Sequence, residues 1–109
     1  MELEKEKKYL EIITKLKILT VREYAENNEE KVEEYKEIVK TLNRIKENSK
    51  LDLLGRKTER TFRYERLLEE ISKNYDSGRS NNIDKIYPIL IEEVERDKIK
   101  TSKSEELER

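Results

Sequence analysis

The chain has 109 residues, of which 33% are hydrophobic and 47% charged, with two glycines and one proline. That leaves room for one domain and matches the profile of long helices better than that of mixed sheet and loop. Its 25 Lys and Arg nearly cancel its 26 Asp and Glu, so the net charge is −1 and any attraction to nucleic acid or an anionic surface must come from a local patch. Histidine and cysteine are absent, which excludes Ser-His-Asp triads, Cys-His pairs, disulfides and histidine-containing metal sites.

So little apolar surface builds only a thin core made of stripes, and part of the stability is expected from a partner or from self-association. No run approaches about 18 apolar residues and the N-terminus lacks an apolar signal core, so the expectation is a cytoplasmic protein with no membrane partner. The absence of His, Cys, Trp and Gln beside plentiful Lys, Glu, Ile and Tyr leans towards a heat-adapted protein, a bias that AT-rich genomes also produce.

In chain order, residues 2–19 place Tyr9, Ile12, Ile13, Leu16 and Leu19 on one helical face. Thr20 and Glu23 have the spacing of a capping box, which predicts a restart or kink there and a short segment ending at Asn27-Asn28. Asn28 is a good N-cap for a helix over 29–47 that opens on Glu29 and Glu30, with a stripe of Val32, Tyr35, Ile38, Val39, Leu42 and Ile45 and a Glu37–Lys40 pair. Asn48-Ser49 stops it, and the connector to Gly55 is expected to tuck Leu51, Leu53 and Leu54 into the bundle.

The stretch from Arg56 to Ile99 organises the remainder. Tyr64, Leu67, Leu68, Ile71, Tyr75, Ile83, Ile86, Tyr87, Leu90 and Val94 keep a three-to-four spacing throughout. Helices are expected over 57–75 and 83–99, readable also as one long kinked helix. Asp76–Asn82 lacks helix formers, and Pro88 suits a first turn or a bend. Residues 101–109 read as a polar tail or the start of a further helix. The predicted fold is all-α: one domain over 1–100, an antiparallel bundle of four main helices, with no β domain after it.

The acidic groups Glu29/Glu33, Glu69/Glu70 and Glu92/Glu93/Glu95 lie on polar helix faces and read as solvated charge, so no metal, cofactor or catalytic role is assigned. Arg56, Lys57, Arg60 and Arg63 form a basic head whose spacing would follow a phosphate backbone, which keeps a small nucleic-acid-binding protein as one alternative. Glu59 and Glu65 interleave with these cations, and Glu59–Arg63 is in the favourable order for a salt bridge, so pairing within the protein is preferred. Tyrosine and arginine on the helix faces point to a protein–protein surface, and a structural coiled-coil homodimer is a further alternative.

Glu65-Arg66, Tyr75, Arg79, Ile83-Asp84-Lys85, Tyr87-Pro88, the charged run Glu92–Lys98 and Ser104-Glu105-Glu106-Leu107 together resemble the helical A domain of the GINS family of replication proteins, in the arrangement that carries the A domain first. Glu59-Arg60 with Arg63-Tyr64 gives a second register for the first part. The resemblance implies a non-catalytic subunit of an archaeal-type replicative helicase assembly. It implies contacts with a GINS sister subunit, the MCM helicase and a RecJ/Cdc45-like protein, in a hetero-oligomer associated with the nucleoid. The interface residues it suggests are Tyr64, Arg66, Leu67, Ile71, Tyr75, Arg79, Ile83, Lys85 and Tyr87.

Overall fold

The structure, a computed structural model, describes residues 2–75 and 83–108. Four helices build it: α1 (Glu2–Ala25), α2 (Glu29–Glu47), α3 (Glu59–Asn74) and α4 (Ile83–Glu108). No strand occurs among the described residues, and the all-α bundle expected from the periodicity is what forms.

α1 passes through Thr20 without the expected restart. The Thr20 hydroxyl donates to the Leu16 carbonyl at 2.7 Å, one turn back, so it is not available to cap a new helix. The helix stops instead at Asn27, whose φ of 60° is left-handed. Around it Asn27 N–H reaches the Tyr24 carbonyl and Asn28 N–H the Glu23 carbonyl, the paired bonds of a Schellman stop. Asn28 then caps α2 by accepting from Lys31 N–H, so two asparagines reverse the chain in three residues.

The start of α3 is set by a reciprocal cap: Thr58 accepts from Thr61 N–H, and the Thr61 hydroxyl accepts from Thr58 N–H. The helix therefore opens at Glu59, two residues after the expected start. It ends at Asn74, because Tyr75 is extended at φ −120°, ψ 124°. The expectation about Asp76–Asn82 falls outside the described residues. α4 continues past residue 99 to Glu108, so what read as a tail or a new helix start is the end of this one, and Pro88 sits inside it.

The register follows from cross-helix bonds. Tyr9 near the start of α1 donates to the Leu42 carbonyl near the end of α2 at 2.6 Å, so the two run antiparallel. Lys5 meets Glu69, Lys8 the Ser72 carbonyl and Glu11 Tyr75, so α3 lies along α1 in the same direction. Arg63 meets Glu93 and Asp97, which sets α4 antiparallel to α3, while Glu37–Lys98 and Arg44–Asp97 tie α4 to α2. Consecutive helices thus alternate in direction, with α1 and α4 on opposite sides of the α2–α3 pair. One core joins all four, with Tyr9, Ile12, Leu16, Ile38, Leu42, Leu67, Ile71, Tyr75, Ile86 and Leu90 almost wholly buried.

Candidate functional site

At the α2–α3–α4 junction lies a charged centre. Glu93 and Asp97 on α4 are only 5% and 8% exposed. Arg63 from α3 donates to Glu93 through Nε at 3.2 Å and Nη2 at 3.0 Å, and to Asp97 through Nη1 at 3.3 Å. Arg44 from α2 closes on the other oxygen of Asp97, and Arg96 reaches Glu93 at 3.3 Å. Buried carboxylates persist only when so paired. This corrects two expectations: Glu93 is not a solvated surface acid, and Arg63 pairs across helices in place of Glu59. Glu37 likewise takes Lys98 at 3.3 Å where Lys40 was expected. The sequence did carry a signal, because positions 83, 86, 90, 93 and 97 continue the inward stripe of α4 straight through the two acids.

Three tyrosine contacts pin the remaining helix pairs. Tyr9 and Tyr64 stack edge to face at 5.3 Å, with the Tyr64 hydroxyl buried and without a hydrogen-bond partner. Tyr75 donates to the Glu11 carboxylate at 2.9 Å beneath the Lys15 ammonium, 5.0 Å from its ring. Tyr35 and Tyr87 stand edge to face at 6.1 Å with Lys31 over both rings, and Tyr87 bonds Glu34. All three are packing and polar satisfaction between helices.

The residues put forward from the sequence divide sharply. Tyr64, Leu67, Ile71, Tyr75 and Ile83 are buried in the chain's own core, Tyr87 is half-buried, Arg66 and Lys85 are exposed, and Arg79 lies outside the described residues. In the basic head, Arg56 pairs with Asp52 at 3.0 Å, Lys57 with Glu65 at 2.9 Å, and Arg63 with the buried acids. Arg60 lies exposed beside them, lining an open cleft of about 670 Å³ with Glu47, Lys50, Asp52 and Glu59. Local carboxylates therefore offset most of the cations that would have faced a phosphate backbone. Among the described residues no group of acidic side chains could hold a metal ion, and no helix is long and apolar enough to cross a membrane.

Two surfaces stand out because they are apolar where solvent is. The first is on α1. Leu3, Leu10, Ile18, Val21 and Tyr24 are exposed, from 45% for Leu10 to 74% for Tyr24. Projected at about 100° per residue, Leu3, Leu10 and Val21 fall within about 20° of one another, roughly 130° around from the core stripe. Ile18 and Tyr24 flank them, so the helix carries a second stripe roughly 32 Å long facing away from the bundle. Spacings of seven and eleven residues, 3–10 and 10–21, were its sequence signal.

The second is the connector. Leu53 is fully exposed, Leu54 74% and Leu51 54%, with Phe62 exposed close by, which reverses the expectation that these leucines tuck inward. No protein family, curated protein or solved structure was found to match this chain.

Proposed function

We propose that the chain is a non-catalytic assembly subunit that engages another protein by helix-on-helix packing, with the outward stripe of α1 as its contact. The observation that carries this reading is that α1 is apolar on two faces, and the core uses only one. A surface helix with no partner normally shows charge on its outer side. Here five large apolar side chains occupy it, interrupted by Lys7, Thr14 and Lys17. That mixture suits an interface that forms and dissolves between folded proteins more than a permanently buried one.

The resemblance to GINS A domains gives the reading its specific form, a subunit of a replication assembly with a sister subunit, MCM and a RecJ/Cdc45-like protein as partners. It draws support from the all-helical build and from Arg66 and Lys85, which remain at the surface. The test is recovery of partners from native extract by the wild-type chain and by Leu10→Asp/Val21→Asp. The reading expects replication proteins with the wild type and their loss with the variant. Recovery of neither a GINS sister nor MCM sinks the replication form, and recovery insensitive to the α1 changes sinks the contact face. A chain that sediments as a stable dimer by itself supports instead the coiled-coil homodimer.

A further inference from the structure

The outward face of α1 has a stricter period than its apolar members alone reveal. Positions 3, 7, 10, 14, 17, 21 and 24 follow one another at alternating spacings of 4 and 3 residues, and all seven are exposed. That alternation averages about 3.5 residues, which is the seam of a coiled coil, and it runs nearly the whole length of the helix. Leucine, threonine, valine and tyrosine fill five of the positions. Lys7 and Lys17 fill the other two.

The remaining lysines of the helix are engaged by the bundle: Lys5 meets Glu69, Lys8 the Ser72 carbonyl and Lys15 the Tyr75 ring. Lys7 and Lys17 form no ion pair among the described residues. For Lys17 the sequence leaves no local choice, because the residues three and four away on either side are Ile13, Thr14, Thr20 and Val21. Two exposed cations thus stand within the row that a facing helix would cover.

A second copy of the chain suits this row badly. Antiparallel pairing that sets Leu3 on Val21 of the other copy also sets Lys7 on Lys17, and symmetry repeats the clash. Parallel pairing in register sets each lysine on its own image. Sliding the antiparallel pair by one heptad leaves Leu3 outside the overlap and brings the two Lys17 side chains into adjacent layers with no acid between them. Like charges opposed in a seam work against association, whereas the same cations favour a helix that brings acids to them.

We propose that the α1 seam pairs with an amphipathic helix of another protein that carries Glu or Asp opposite Lys7 and Lys17, and that these two lysines select that helix over a second copy of this chain. The two acids stand roughly 15 Å apart, about ten helical residues, whichever way the partner helix runs. The inference rests on the reading of α1 as the contact face and adds the chemistry of what it contacts.

The test uses the full chain and two labelled helical peptides with leucine at the seam. One carries glutamate at two seam positions about ten residues apart, and the other carries lysine there. Fluorescence anisotropy is expected to show the wild type binding the glutamate peptide at least tenfold more tightly than the lysine peptide. Lys7→Glu/Lys17→Glu reverses that preference. Lys7→Leu/Lys17→Leu, with the charge barrier gone, sediments as a dimer where the wild type sediments as a monomer. Circular dichroism of each variant shows that the bundle is folded. Equal affinity for the two peptides, no binding of the glutamate peptide, or a wild type as dimeric as the leucine variant overturns the proposal. Leu10→Asp/Val21→Asp separates this failure from that of the contact face. Peptide binding that ignores the charge swap but is abolished by the aspartates leaves the face standing and removes only its selectivity, whereas binding that ignores both removes the face as well.

Discussion

Arg63 on α3 places two of its guanidinium nitrogens, Nε and Nη2, on the same oxygen of Glu93 on α4. The pair is almost sealed from water, Arg63 at 16% and Glu93 at 6% side-chain exposure, and Asp97 shares the arginine from one turn along. Removing the arginine leaves buried Glu93 to Arg96 alone and Asp97 without its α3 partner, beside Arg44. Arg63→Ala is expected to destabilise the fold by about 3–5 kcal/mol, and Arg63→Met paired with Glu93→Leu by much less, since packed apolar groups replace a buried pair well. Urea denaturation of the three proteins decides it. A single variant within about 0.5 kcal/mol of wild type would show that the acids are not dependent on Arg63.

Alkaline pH tests the tyrosine pins. Burial raises the hydroxyls of Tyr9, Tyr64 and Tyr75 above their ordinary 10.0, Tyr64 to about 12, with Glu11 adding to the effect at Tyr75 because the bond there needs the proton. The fold favours the neutral phenols, so their contribution is complete below the unfolded value of 10.0 and declines as pH rises above it, that of Tyr64 being lost through about 12. Stability should fall above about pH 10 by up to about 1.4 kcal/mol per pH unit for each tyrosine. Denaturation midpoints measured from about pH 8 to about pH 12 report it, and a flat profile would contradict the burial of these rings. Tyr64→Phe should soften the fall at no cost in hydrogen bonds, its hydroxyl having no partner.

The two faces of α1 should respond oppositely to change. Ile12 is fully buried and Val21 is 69% exposed. Ile12→Ala is expected to cost about 2–5 kcal/mol, whereas Val21→Asp should stay within about 0.5 kcal/mol for the isolated chain. Thermal melts of the two variants separate the faces. Equal losses would mean that α1 packs against something on both sides even in the monomer.

The start of α3 offers a local test. Thr58→Ala removes one half of the reciprocal cap and is expected to cost about 1 kcal/mol. Gly55→Ala meets nothing within 4 Å, so its expected cost of about 1–2 kcal/mol is purely that of holding a Cβ at positive φ. Amide exchange at Leu54 and Arg56 should quicken in the Gly55 variant and stay unchanged in the Thr58 variant, because the bonds at risk differ.

The helices, the cap at Asn28 and nearly all of the core were legible because a three-to-four spacing reports directly on which face meets another helix, whereas the Thr58–Thr61 cap of α3 was not. What escaped was decided by tertiary partners. Thr20 and Glu23 fit a cap, but a hydroxyl in mid-helix also satisfies itself on the previous turn, and the pattern does not choose between the two. Glu93 and Asp97 fell in the inward series, yet charge alone argued for solvent; only the arrival of Arg63 and Arg44 from other helices makes burial tolerable. Leu53 and Leu54 failed in the opposite sense. Apolar residues in a loop read as core, while Asp52 builds a turn that holds them outside it.

The short Asn27-Asn28 reversal has a consequence for how the molecule assembles. It joins α1 and α2 so closely that their mutual stripe closes with little loss of chain entropy, whereas Lys8–Ser72 and Glu11–Tyr75 each tie residues 64 apart in sequence. The α1–α2 hairpin is therefore the expected folding nucleus, formed while the second half of the chain is still searching. Substitutions at Leu42 should slow folding, those at Ile86 should chiefly speed unfolding, and equal φ-values at the two would count against that order. A nascent chain would then display a half-built groove of Ile12, Leu16, Ile38 and Leu42 until α3 and α4 arrive to fill it.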